Sequence, residues 1–380
     1  MRRWNGWGDD GVDASLRPDM QQFLHANLGP GNRRTDVTLA QAIADVPASR
    51  APKHPLLKDD PRERLMVGRG QSFPDWVEWR WGLIGGCPDA VAKPTSHDEV
   101  QALVDFANKT GVRLIPYGGG TSVVGHLTPL PGEAPVVTVD MRSLKHLLAF
   151  DPKDRLATFG AGVVGPAIEA QLKPHGMMLG HFPQSYEYST LGGWVVTRSS
   201  GQQSLRYGRI ENMFAGGRVV TPTGELVVPA IPASGAGTDI RELVLGSEGR
   251  IGLLTEATVR ITAAPEVEQF DAGFLPTWSD GLNCVRELAQ AGVPLSMMRL
   301  SNAIETRTNL LMAGKGRAIR ALQGYLKVRG VGEGRCMLIL GYTGTSQGVR
   351  RQRRAARSAV RGHRGVLIGR PIGDAWARNR

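Results

Sequence analysis

Cysteine is scarce, with three residues in 380, and Cys87, Cys284 and Cys336 are widely spaced and odd in number. There is no CxxC and no metal-ligand spacing, which excludes a disulfide framework and a zinc site. Reduced thiols in a cytoplasmic protein are the expectation. Long apolar runs are absent too: no stretch approaches the ~18 residues a membrane-spanning helix needs. The start, Met1 to Gly8, lacks the apolar segment of a secretory signal. Aromatics are only 6% of the chain. Trp76, Trp79 and Trp81 stand close together, but without the basic interleaving of a nucleic-acid stacking surface, so they read as cover for a core edge. No internal repeat and no low-complexity tract occurs. The G-x-G-x-x-G spacing of a nicotinamide dinucleotide fold is missing as well.

What is present is a chain long enough for two domains, with 41% hydrophobic and 21% charged residues. Gly at 49 and Pro at 24 imply many turns and short strands. The net charge of +11 is local rather than spread. Arg350, Arg351, Arg353, Arg354, Arg357, Arg361 and Arg364 crowd one stretch that contains no acid. A solvated helix face is the ordinary reading of such a run. Peripheral contact with an anionic membrane surface is the alternative, and nucleic acid is not an expected partner.

The pattern centres on one turn, Pro116-Tyr117-Gly118-Gly119-Gly120-Thr121-Ser122. Glycines let the backbone approach a ligand closely and let φ turn positive. Successive bare N–H groups can then hold an anion, most often a phosphate. A strand over 112–115 leads into the turn. Before it come a strand at 89–92, a helix from His97 opened by Ser96 and Glu99 in capping-box spacing, and Gly111 as its C-cap. Residues 1–82 read as a polar extension, with a short helix at 20–28 and a loop over 43–62. Strands follow at 136–140 and 156–162, then a helix from Pro166 to His175. The segment 181–201, dominated by hydroxyls, amides and glycines, has almost no helical period and reads as a long functional loop. Strands around 219–228 and at 256–261 flank a short helix at 239–245. Beyond Pro265 the expectation is helices at 280–291, 304–325 and 347–361, with strands at 295–300 and 337–342.

Four ordered segments carry a resemblance: 116–122, 184–190, 197–200 and 248–254. Together they are similar to the FAD-contacting segments of flavoproteins of the vanillyl-alcohol oxidase type, which carry a PCMH-type FAD domain. Within that group, the run from Tyr186 to Gly201 and the opening Trp4-Asn5-Gly6-Trp7-Gly8 resemble the alkyldihydroxyacetonephosphate (alkylglycerone-phosphate) synthases. The resemblance implies an α+β fold: an extension over 1–82, a two-subdomain FAD domain over 83–265 and an incomplete α/β cap over 266–380. It implies FAD as cofactor. The contacting positions would be Pro116, Tyr117, Gly118, Gly119, Gly120, Thr121 and Ser122, then Gln184, Ser185, Tyr186, Glu187, Tyr188, Ser189 and Thr190. Thr197, Arg198, Ser199 and Ser200 follow, with Glu248, Gly249, Arg250, Ile251, Gly252, Leu253 and Leu254. Some relatives hold FAD covalently through a His in the glycine turn; Thr121 stands there, so binding is expected to be non-covalent.

For catalysis the resemblance points to His181, with a buried structural histidine as the alternative. It also points to Arg299, with an internal salt bridge as the alternative. Arg198 is left between Glu187 and the cofactor. The activity implied is exchange of acyl for alkyl on glycerone phosphate, with a small-molecule or lipid substrate and a homodimer as the assembly. The alternatives are an FAD-linked oxidase or dehydrogenase of a 2-hydroxy acid, and an FAD-binding remnant. The family's acid–base tyrosine and histidine cluster have no counterpart before Arg380, so a C-terminally truncated chain of poor turnover is the expectation.

Overall fold

The computed structural model describes every residue except 1, 13–14, 32–33, 131, 133, 233–234, 314–315 and 379–380. The chain divides into two compact units. The first comprises residues 1–15, 30–200 and 209–262; the second comprises 16–29, 201–208 and 263–380.

Two larger sheets organise the first unit. One is four-stranded, with β1 (Leu57–Lys58), β2 (Ala90–Ala92), β3 (Arg113–Tyr117) and β4 (Val136–Asp140) in the order β1-β2-β4-β3. β2 and β3 run parallel to the central β4, with Val91 opposite Thr138 and Ile115 opposite Thr138. β4 is buried along its whole length, as a strand covered on both faces should be. Helix α1 (His97–Thr110) supplies part of that cover, burying Val100, Leu103 and Val104 with Ala90, Ala92, Val137 and Val139. Ser96 caps it by accepting from the Glu99 amide at 3.2 Å. The Glu99 carboxylate turns instead to the amide and hydroxyl of Thr95, so the reciprocal half of the capping box is not made. Gly111, at φ 75°, ends the helix.

The second sheet of this unit is five-stranded and antiparallel. Its strands are β5 (Leu147–Asp151), β6 (Leu156–Gly160), β7 (Phe214–Thr221), β8 (Gly224–Val228) and β9 (Leu253–Arg260), in the order β5-β6-β9-β7-β8. Val220 and Leu253 share the core of the first sheet. Between β6 and β7 come helices α2 (Gly165–Leu172) and α3 (Leu191–Val196). The latter corrects the reading of 181–201 as unbroken loop.

Residues 30–82 also differ from the expected extension with a loop at 43–62. Helices Leu39–Ala44, Pro61–Met66 and Phe73–Arg80 fold around Ala42, Leu65, Trp79 and Ile84, and β1 joins the first sheet. Of the tryptophans, Trp79 is buried and stacks on Trp4, whereas Trp81 is exposed beneath the Arg34 guanidinium.

The second unit is built on one antiparallel sheet. Its strands are β10 (Val267–Leu275), β11 (Met297–Ser301), β12 (Cys336–Gly344) and β13 (Val366–Gly369), in the order β11-β12-β10-β13. β12 alternates strictly: Leu338, Leu340 and Tyr342 enter one core with α4 (Trp278–Gln290) and α7 (Ser346–Gly362). Met337 and Ile339 enter another with residues of α5 (Ala303–Met312) and α6 (Arg317–Val328). The helix expected over 304–325 is therefore two, and a further helix, α8 (Arg370–Arg378), follows β13. The arginine run lies on α7 except for Arg364, which follows its end and pairs with Asp280 at 2.8 Å. On the helix Arg353 pairs with the fully buried Asp271 carboxylate at 2.9 Å, and Arg350, Arg351, Arg354, Arg357 and Arg361 are exposed. No helix of the described residues is long and apolar enough to cross a membrane.

Candidate cofactor site

A cavity of about 370 Å³ opens in the first unit where β3 ends. The glycine turn forms one wall. The residues 185, 189 and 190, the helix α3 and the segment around Gly249 form the others. Sequence neighbours do not explain this convergence; backbone packing does. A Cβ on Gly118 would sit 2.2 Å from Thr190 Oγ1, and one on Gly119 would sit 2.0 Å from the Tyr188 carbonyl oxygen. One on Gly120 would meet the Tyr117 hydroxyl at 2.0 Å, and one on Gly249 would meet Pro116 at 2.4 Å. The turn thus lies directly against residues 188–190 and 249. Of the triplet only Gly120 has positive φ, 60°. Glycine is required at 118 and 119 by close packing to protein, not by a positive dihedral.

α3 is set in place by its first residues. The amides of Leu191 and Gly192 donate to the carbonyls of Val163 and Ala161 at 2.9 and 2.7 Å. Thr190 caps it by accepting from the Gly193 amide. Below it Trp194 Nε1 donates to Ser189 Oγ at 2.7 Å, and Ser189 Oγ donates to the Ser185 carbonyl at 2.8 Å. On the far side, Glu248 and Gly249 are both left-handed, at φ 52° and 77°, and the Glu248 amide donates to the Val196 carbonyl at 2.8 Å.

Of the expected contact positions, Pro116 to Ser122, Ser185, Ser189, Thr190, Thr197, Ser199, Glu248, Gly249, Gly252 and Leu254 line the cavity. Gln184, Tyr186, Glu187, Tyr188, Arg198, Ser200, Arg250, Ile251 and Leu253 are not among its lining. Tyr186 packs on Phe182, Tyr188 on Trp7, and Leu253 is in the core. Gln184, Glu187, Ser200 and Arg250 are exposed. Arg198 takes neither option left open for it: it pairs with Glu242 and donates to the Leu245 carbonyl at 3.3 Å.

His181 is 1% exposed and lies behind the lining. Its Nε2 is 3.0 Å from Ser199 Oγ, and its ring meets Trp194 edge-on at 4.9 Å. Burial lowers its pKa to about 4, so the imidazole is neutral at physiological pH. Its Nδ1 has no hydrogen-bond partner. This is a wall residue rather than one at the cavity surface. Arg299 lies on β11 of the other unit, half-exposed, paired with Glu305 at 2.9 Å, which is the salt-bridge alternative.

The sequence reading missed His126, which lines the cavity 3.4 Å from Ser122 Oγ and 3.8 Å from Glu248 Oε2. It also missed Val123, Val124, Met141 and Ala161. Nothing in a one-dimensional pattern marks them, since they lie outside the glycine run and are brought in by the fold.

The donor set fits a dinucleotide. Among the described residues, the amides of Gly119, Gly120 and Thr121 donate to no other protein group, and they sit beside the hydroxyls of Thr121 and Ser122. That is the cradle a diphosphate requires. The other walls combine glycine backbone and apolar side chains, suited to a flat ring, with the polar groups of Ser185, Ser189, Thr190, Thr197, Ser199 and Glu248. No cluster of the described residues could hold a metal ion.

Comparison with known proteins agrees. Residues 88–228 match the family described as "FAD binding domain", and residues 264–370 match "FAD linked oxidases, C-terminal domain". Together these define a two-domain FAD-linked flavoprotein, and FAD is its cofactor. The alkyldihydroxyacetonephosphate synthase of Dictyostelium discoideum is 31% identical over the whole of this chain and 69% of its own length. That of Trypanosoma brucei brucei is 35% identical over 80% of this chain and 55% of its own length. A solved structure of an alkyldihydroxyacetonephosphate synthase superposes with a TM-score of 0.87 at 29% identity, covering 99% of this chain and 75% of its own. The chain belongs to the alkyldihydroxyacetonephosphate synthase family.

Proposed function

We propose that the chain catalyses the exchange that the family resemblance implies: acyl-glycerone phosphate and a fatty alcohol give alkyl-glycerone phosphate and a fatty acid. The C–O bond to the acyloxy group breaks, a C–O bond to the alcohol forms, and the alcohol's proton leaves with the carboxylate, so net redox is zero. FAD, when bound, supplies the electrophilic ring that makes this substitution feasible. The residues of this chain bind and orient it. The amides of Gly119 to Thr121 and the hydroxyls of Thr121 and Ser122 would take the diphosphate. Gly192, Gly193, Gly249 and Gly252 would give the ring a flat bed. Thr121, in place of a linking histidine, supports non-covalent attachment. This reading assigns no step to Arg299, which pairs with Glu305 on the other unit.

The observation that carries the reading is the match to synthases over all of this chain, together with a cavity built from the segments that carry the likeness. The test is a purified, FAD-loaded protein given acyl-glycerone phosphate and a labelled fatty alcohol without oxygen. Label is expected in alkyl-glycerone phosphate, with flavin oxidised at the end and released by acid precipitation. Bleaching of the flavin by a 2-hydroxy acid, without label transfer, would replace this reading with the dehydrogenase one.

A further inference from the structure

The amino-terminal motif has no part in the function above, yet the structure fixes it firmly. Arg2 and Asp9 bridge as in an antiparallel pair, and the Arg3 amide donates to the Gly8 carbonyl at 2.8 Å. Trp4 stacks on Trp79, and Arg80 Nε donates to the Asn5 carbonyl at 3.1 Å. Trp7 meets the Tyr188 ring edge-on at 5.4 Å, and the Tyr188 hydroxyl donates to Asp9 Oδ2 at 3.3 Å.

From this small loop Arg2 reaches the glycine turn. Its Nη1 donates to the Gly119 carbonyl and its Nη2 to the Gly120 carbonyl at 3.3 Å, while the guanidinium lies over the Tyr188 ring at 5.4 Å. Among the described residues no peptide bond is cis. In a trans peptide the N–H points opposite to the C=O of the same unit. Holding the carbonyls of Gly119 and Gly120 toward Arg2 therefore turns the amides of Gly120 and Thr121 the other way. Among the described residues those amides have no protein partner. The cavity lining itself contains neither Lys nor Arg. Arg2 gives its donors to these carbonyls and to the Tyr117 hydroxyl, and its positive charge lies behind the cradle.

We propose that Arg2 is a positioning residue for the cofactor diphosphate: it sets the peptide orientation of the glycine turn from behind and adds a positive charge there. The proposal rests on the assignment of the cavity to FAD. It separates the phosphate-bearing half of the ligand from the ring. Riboflavin, which has the ring and no phosphate, is the discriminating probe.

The experiment titrates the flavin-stripped 380-residue chain with FAD and, separately, with riboflavin, following flavin fluorescence. Wild type, Arg2→Met and Arg2→Lys are compared. Charge-assisted hydrogen bonds of this kind correspond to roughly 10–100-fold in affinity. Arg2→Met is expected to weaken FAD by about that factor and to leave riboflavin within about twofold. Arg2→Lys, which keeps the charge but cannot span two carbonyls, is expected to fall between. Equal loss of both ligands means a merely structural role and overturns the proposal, as does no loss of either. If Arg2→Met does not fold, Arg2→Lys decides by the same ratio. Failure of wild type to take up FAD would overturn the cavity's assignment itself, and it is visible before any variant is compared.

Discussion

At Gly119 the constraint is a distance. A methyl group there would stand 2.0 Å from the carbonyl oxygen of Tyr188, which belongs to backbone and cannot swing aside. Gly119→Ala is thus expected to destabilise the first unit by about 2–3 kcal/mol, in the range of overpacked sites, and to abolish FAD retention. Gly125, at φ 78° with nothing near its missing Cβ, is the contrast. Alanine there should cost only about 1 kcal/mol and leave the flavin bound. Thermal unfolding and the flavin absorbance of the purified variants check both. His181 gives a pH-dependent outcome. In the folded chain it stays neutral down to about pH 4, while the unfolded chain protonates near 6.5. Between these values the unfolded state holds more protons, so stability falls as pH drops through the window, by about 3 kcal/mol in all. His181→Gln should flatten that part of the curve, measured by denaturant unfolding from pH 7 to pH 4.

Among the elements, α7 is the one whose composition misleads most. Its arginines suggest a uniform charged face, yet Arg353 serves the core side, capping a buried carboxylate on β10. The two partners differ in exposure, which predicts an asymmetry. Arg353→Met strands the fully buried Asp271 carboxylate and should cost about 3–5 kcal/mol. Asp271→Asn leaves a guanidinium that already reaches solvent, and should cost clearly less. Urea unfolding of the two variants decides it. Other elements were legible from the start. α1 follows from helical spacing between Ser96 and Gly111, and β12 was expected at 337–342, where the chain is a short continuous apolar run buried on both faces. The helices at 39–44 and 73–80 carried readable signals in Thr38 with Gln41 and Ser72 with Asp75, capping boxes that the proline-rich surroundings obscured. α3 was not legible, because its Leu-Gly-Gly-Trp-Val-Val sequence has poor intrinsic propensity. It is helical through tertiary burial of Leu191, Trp194 and Val195 and the cap from Thr190. The site was legible in the same measure. The glycine turn was found by pattern and its three companion segments by family resemblance, whereas His126, Met141 and Ala161 come from ordinary sequence that the fold carries to the cavity.

At the scale of the whole molecule, the two units are not consecutive in the chain. Residues 16–29 and 201–208 belong with 263–380, so the polypeptide passes from one unit to the other at 15–16, 29–30, 200–201, 208–209 and 262–263. Within the second unit, Arg17 donates to the carbonyls of Leu311 and Met312 at 3.0 Å each, across up to 295 residues of sequence. Gln203 Nε2 likewise donates to Glu268 Oε1 at 2.5 Å. During synthesis, which proceeds at roughly 5–20 residues per second, the helix at 18–28 emerges long before its partners. It waits on the order of 15 seconds or more for α5 to leave the ribosome. The first unit has all its pieces by residue 262. It can close around its cofactor while the earliest segment of the second is still unpartnered, so the chain order allows flavin uptake before the second unit is complete.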